Sequence, residues 1–144
     1  MTQEHPALER FVLAQARNYE QALRELQAGH KRSHWIWYVL PQLRGLGRSA
    51  MAREYGIENR QEAEAYMAHP VLGPRLVECV HAVLQHEHRS AVQILGDVDA
   101  IKFRSCLTLF AALATTETCF ARALERFYPD GPDPESLRLL SAGE

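Results

Sequence analysis

Apolar side chains recur at three- and four-residue intervals over most of this chain, the spacing that lines one face of an α-helix. Leu8, Phe11, Val12 and Gln15 set the first such face, with Pro6 suited to its opening turn. Tyr19, Ala22, Leu23 and Leu26 line a second segment, capped by Asn18 and ended by Gly29. Ser49 is placed to cap a helix over 50–55, and Asn59 one over 61–68 with Glu62 as its capping-box partner. After His69-Pro70, the set Leu72, Leu76, Cys79, Val80, Val83 and Leu84 marks a long amphipathic helix that holds Gly73-Pro74 in its first turn. Ser90 caps a short helix to Leu95, ended by Gly96. Asp97 or Asp99 then starts a helix carrying Ile101, Phe103, Leu107, Leu109, Phe110 and Leu113, apolar on so many sides that it belongs at the centre of the core. Thr116 caps the helix with Phe120, Leu124 and Phe127, and Asp133-Pro134 opens a last one through Leu140. No pair of alternating strands appears. The pattern predicts an all-α fold of about seven or eight helices in a single domain over residues 1–144.

One stretch departs from this periodicity. Trp35-Ile36-Trp37-Tyr38-Val39-Leu40 is an unbroken apolar and aromatic run, which reads locally as a buried strand and equally fits a buried helical turn. Pro41 ends either one, because it lacks a donor and restrains Leu40 to extended geometry. Gln42 to Ser49 follows, with Gly45 and Gly47 around Leu46.

Charge singles out the same region. No acid lies between Glu25 and Glu54, whereas Lys31, Arg32, Arg44, Arg48 and Arg53 all do. The chain as a whole carries -2, so this window is five positive and the remainder seven negative. A local positive field in a mildly acidic protein suits an anionic ligand. Arg44 and Arg48, with the Gly45 and Gly47 amides before the Ser49 cap, resemble a phosphate or carboxylate cradle. Lys31, Arg32, Ser33, His34, Gln42 and the rings of Trp35 and Trp37 join them as candidate ligand contacts, the tryptophans by stacking on a ring. Lys102 and Arg104 add to that site if their helix packs against the tryptophan run. GLGRSA at 45–50 matches a dinucleotide fingerprint in letters only, since no βαβ unit surrounds it.

Other chemistry is weakly marked. His30 and His34 are four apart, as two metal ligands on one helix face would be, but Gly29 interrupts any helix there and no third ligand follows, so no metal is expected. His34 beside Ser33 has no assignable carboxylate partner. His86 and His88 fall at a helix end, where a dipole contact accounts for them. No Ser-His-Asp or Cys-His spacing emerges, and neither a reaction nor a cofactor is specified. Cys79, Cys106 and Cys119 form no C-x-x-C pair, which points to reduced, buried thiols in a cytoplasmic protein. The charged first twenty residues exclude a signal-peptide core, and no apolar run approaches spanning length, so no membrane role is expected.

The runs KRSHWIWYVLPQLRGLGRSAMAREYGI at 31–57, AHPVLGPRL at 68–76 and DAIKFRSCLTLFAAL at 99–113 resemble a bacterial family of unknown function, domain of unknown function 1810. That resemblance covers nearly the whole chain and implies a small helical cytosolic protein, with no established activity. Some members carry the label calpastatin, yet a calpain inhibitor of that kind is a disordered, low-complexity chain, unlike this composition. More distantly, Glu9 to Gln15 is similar to the E-H-Y-F-Q-A-Q segment of the NADAR family, helical proteins linked to removing ADP-ribose from guanine. Glu9, Ala14 and Gln15 match; Arg10 replaces the histidine and Ala16 stands where that family has lysine.

Three functions follow from these residues. The first, and the one the charge pattern favours, is binding of a phosphorylated or nucleotide-like small molecule at 29–53, with an ADP-ribose relation implied by the NADAR likeness. Nucleic-acid binding would need a net basic footprint, which a pI near 6.4 does not give. The third is an interaction or regulatory module in which the tryptophans are core and the basic strip meets an acidic protein partner.

Overall fold

A 3-10 turn at Pro6–Leu8 leads into α1, Glu9–Ala28, in the computed structural model, which describes residues 6–113 and 116–143. Asn18 does not start a second helix. Gln15, Tyr19 and Ala22 continue one buried face across it, and its amide donates instead to the Tyr38 hydroxyl at 2.6 Å. Gly29 ends α1 with φ +76°, the left-handed turn in which glycine carries no Cβ penalty.

The tryptophan run folds as a helical turn, α2 (Ile36–Val39), and not as a strand. No strand exists among the described residues to pair with it, so its backbone closes locally: Val39 N–H bonds the Trp35 carbonyl and Leu40 N–H the Ile36 carbonyl, each at 3.1 Å. Beyond Pro41 one isolated parallel bridge joins Leu43 to Ile57. It holds the 42–44 segment across α3 (Ala50–Tyr55), whose cap is Ser49, accepting from Ala52 N–H at 3.1 Å.

Asn59 caps α4 (Arg60–Ala68), and His69 then turns the chain, its Nδ1 accepting from Val71 and Leu72 N–H at the start of α5 (Leu72–Leu84). Ser90 and Gln93 form a reciprocal capping box on α6 (Ala91–Leu95), and Gly96 swings directly into α7 (Asp97–Ala111). Neither Asp97 nor Asp99 caps α7 with its side chain. Asp97 opens its first turn, where an acid favours the helix dipole, and Asp99 is drawn to Lys31. Nor does Thr116 cap the next helix: α8 begins at Cys119 and runs to Phe127, with Glu117 accepting from the Cys119 N–H at 3.1 Å. Asp133 caps α9 (Pro134–Ala142) by accepting from Ser136 N–H.

Nine α-helices are thus present among the described residues, the two expected N-terminal segments merging into α1 and the tryptophan run adding α2. The fold is all-α. α5 packs on α1, α4 and α8, while α7 packs on α6, α8 and α9 and touches α2. Ser105 to Phe110 of α7 are buried without interruption, which is the central position its apolar surround predicts. Its first turns differ: Val98 and Ile101 are 64% and 70% exposed. All three cysteines are free and buried. No helix among the described residues is long and apolar enough to cross a membrane.

Candidate functional site

The loop leaving α1 is built around one carboxylate. Glu25 lies in the last turn of the helix and is 9% exposed. Its Oε1 accepts from Arg32 N–H at 2.8 Å, Ser33 N–H at 3.0 Å and Trp35 Nε1–H at 2.9 Å, and its Oε2 from the Ser33 hydroxyl at 2.6 Å. Burial opposes the charge, but the Ser33 hydroxyl, the two backbone N–H groups and the indole together outweigh it and bring the carboxyl down to about 2. These bonds fix residues 32–35 against α1.

The same loop consumes Lys31. Its ammonium pairs with Asp99 at 2.7 Å, lies 4.7 Å from the centre of the Trp35 ring and donates to the Ser33 carbonyl, with only 5% of the side chain exposed. Trp35 is 1% exposed, a core residue with a bonded indole. Lys31, Ser33 and Trp35 are therefore parts of the scaffold. Arg32 and His34 are exposed on its outer side.

Trp37, Gln42 and Lys102 do come together, so α7 supplies one of its two basic residues to the tryptophan segment. Their cleft, shared with Tyr55, measures about 10 Å³, room for about one water molecule and no ring. Trp37 Nε1 is buried there with no hydrogen-bond partner among the described residues. Arg104 is committed elsewhere, donating to the Gly131 and Pro132 carbonyls at 2.8 and 3.1 Å. Arg44 is exposed and spends its Nε on the Arg53 carbonyl at 3.0 Å; Gly45, Arg48 and Ser49 are exposed and Gly47 is half-buried.

A larger hollow opens on the other side of the loop. It measures about 510 Å³ and is lined by Gln21, Arg24, Glu25, Ala28, His30, Arg32 and Arg89. Arg89 is anchored, its Nε donating to the Gly29 carbonyl at 2.9 Å. The guanidinium groups of Arg24 and Arg32 are exposed and make no hydrogen bond or ion pair among the described residues. The one carboxylate in this lining is Glu25, whose lone pairs already face four donors. Three guanidiniums and an imidazole around an open hollow are equipped to hold an anion by charge and paired N–H donors. The His30 imidazole is the one group among them that could serve as a base.

A family model described as a protein of unknown function, DUF1810, matches residues 5–140. The chain belongs to the DUF1810 family. This DUF1810 protein is also similar to the conserved hypothetical protein Rv1873 of Mycobacterium tuberculosis, whose crystal structure at 1.38 Å is 46% identical. The match covers 93% of this chain and 96% of that one, with a TM-score of 0.91. No curated protein matches.

The segment similar to NADAR lies along α1. Glu9 is exposed, Arg10 is bound to Glu62 at 3.1 Å and to the Glu54 and Gly56 carbonyls, and Gln15 is buried, donating to the Tyr38 carbonyl at 2.7 Å and the Tyr66 hydroxyl at 3.1 Å. Sequence reasoning did not single out Arg24, Arg89 and Glu25. Arg24 and Glu25 stood just before the acid-free window, and a helical reading of α1 carried through Asn18 would have put them beside residue 28 and the loop; Arg89 carried no signal at all.

Proposed function

We propose that this DUF1810 protein binds a small phosphorylated or nucleotide-like ligand, with its anionic group held by Arg24, His30, Arg32 and Arg89. What supports the reading is the hollow itself: its cations surround about 510 Å³ of open space, and its single lining carboxylate is saturated by protein donors. A charged hydrogen bond contributes about 1.5–3 kcal/mol. Losing two guanidiniums therefore weakens binding by about a hundredfold or more, at about 1.4 kcal/mol per tenfold. Two exposed arginines alone bind a monoanion poorly, so the ligand class is one with clustered negative charge, such as a pyrophosphate-containing nucleotide or sugar.

The test is a thermal-shift screen followed by calorimetric titration with pyrophosphate, nucleotides, NAD, ADP-ribose, sugar phosphates and short polynucleotides, because a ligand bound only by the native state raises the melting temperature. One compact phosphorylated compound should stabilise the protein, and Arg24→Ala with Arg32→Ala should abolish the shift while the fold persists. Loss with Arg44→Ala and Arg48→Ala instead would place the anion at the 44–49 glycine segment. Binding unaffected by either pair, or no binding by any compound, sinks the proposal. An interaction module is the second reading, and its own observation is the exposed apolar set of Val92, Val98 and Ile101 on α6 and α7.

A further inference from the structure

A separate cluster lies where α5 meets the start of α8. α5 and α8 pack side by side, and His81 near the end of α5 meets the segment that enters α8. There a nitrogen of His81, a carboxylate oxygen of Glu117 and the sulfur of Cys119 all lie within 4.8 Å of one another. We propose that His81, Glu117 and Cys119 form a binding site for one divalent transition-metal ion, and that zinc is the ion this donor set selects.

Each element of the geometry bears on the choice. A tetrahedral zinc with bonds of about 2.0–2.3 Å holds its ligands about 3.3–3.8 Å apart, so the three atoms close on an ion with a shift of about an ångström. That shift is available to the His81 and Glu117 side chains, which are not fully buried, while Cys119 is fixed in the core as the buried anchor. Imidazole, carboxylate and thiolate together are a borderline-soft set, which disfavours magnesium and calcium. On binding, the Cys119 thiol gives its proton to solvent and the sulfur lone pair forms the Zn–S bond. Three protein ligands leave a fourth position for solvent or a further ligand, as in zinc sites that are not purely structural. Helix capping explains Glu117 alone: its bond to the Cys119 N–H at 3.1 Å stops the first turn of α8 from being bare, but it requires neither a histidine nor a thiol beside it.

The experiment uses the full chain, stripped with a chelator and desalted, titrated with Zn²⁺ against a chromophoric competitor and separately with Co²⁺. Expected are one equivalent bound, the intense visible bands of tetrahedral cobalt, and a thiolate-to-cobalt charge-transfer band in the near ultraviolet. Cys119→Ser should remove the charge-transfer band, and Cys106→Ala should keep it. His81→Ala, whose replacement leaves the core intact, should weaken zinc by at least about tenfold while the charge-transfer band survives at saturating cobalt. Circular dichroism checks that each variant is folded. A wild-type affinity weaker than about 10 µM, a charge-transfer band retained in Cys119→Ser, or unchanged affinity in His81→Ala overturns the site.

Discussion

Replacing Glu25 by glutamine keeps the outline of the side chain and removes its charge. The carboxylate accepts four hydrogen bonds, three on Oε1 and one on Oε2. An amide offers one oxygen, which can retain the Arg32, Ser33 and Trp35 N–H donors only as weaker, neutral bonds, and its NH₂ must then face the Ser33 hydroxyl. The magnitude can be taken from the proton. Folding brings the Glu25 carboxyl from an ordinary 4.5 to about 2, and each tenfold change in proton affinity is worth about 1.4 kcal/mol, so the ionised group stabilises the fold by about 3 kcal/mol at neutral pH. Because the folded value is the lower one, that contribution is complete well above pH 4.5 and is lost as pH falls toward 2.

Urea denaturation of wild type and Glu25→Gln, followed by tryptophan fluorescence between pH 7 and pH 3, measures this directly. The wild type should exceed the variant by about 3 kcal/mol at pH 7, and the gap should shrink to about half by pH 3, since protonation does to the wild type what the mutation does. A gap below about 1 kcal/mol at pH 7, or one that stays constant with pH, would refute the view that the ionised carboxylate holds the 32–35 loop.

Gly73→Ala should be costly for a steric reason, because an added Cβ would lie 2.2 Å from the Met67 carbonyl oxygen and force α4 and α5 apart. A loss of about 3 kcal/mol in chemical denaturation is expected, and a loss under about 1 kcal/mol would show that the α4–α5 corner yields freely. Lys31→Met strands the Asp99 carboxylate and should destabilise by about 2 kcal/mol, partly recovered in Lys31→Met with Asp99→Asn. A coupling energy near zero in that cycle would mean the pair is incidental, and ligand affinity in a folded Lys31→Met should stay at the wild-type value.

The helical fold was legible because its boundaries are written in local chemistry. Ser49, Asn59, Ser90 and Asp133 cap where their side chains reach the N–H three residues on, and Gly29 ends α1 where a left-handed residue is needed. Two expected caps were drawn to long-range partners instead: Asn18 found Tyr38, and Asp99 found Lys31. The candidate site was legible only as a region. Five cations in one acid-free window look alike in sequence, yet burial distinguishes them, turning Lys31 into scaffold while leaving Arg32 exposed. Arg89 joins Arg24 and Arg32 through its bond to the Gly29 carbonyl, a proximity that neither charge pattern nor spacing encodes.

What places those residues is the inward face of α1. Arg10 binds Glu62 and the chain at 54 and 56, Gln15 binds Tyr38 and Tyr66, Tyr19 binds Glu78 and the Arg75 carbonyl, and Glu25 binds the 32–35 loop. Each polar group reaches a different segment, so α1 contacts α2, α4, α5 and both flanking loops at defined heights along its axis. Apolar burial would tolerate a sliding of these elements, since hydrophobic contact is not directional. A buried donor or acceptor left without its partner costs about 1–3 kcal/mol, so a register error of one turn would break several such bonds at once. The rim of the hollow inherits that register: Arg24 sits on α1 itself, Arg32 on the loop fastened to Glu25, and Arg89 on the Gly29 carbonyl that closes the helix. The backbone positions from which Arg24 and Arg32 project, and the Arg89 guanidinium itself, are therefore fixed by the folding of α1.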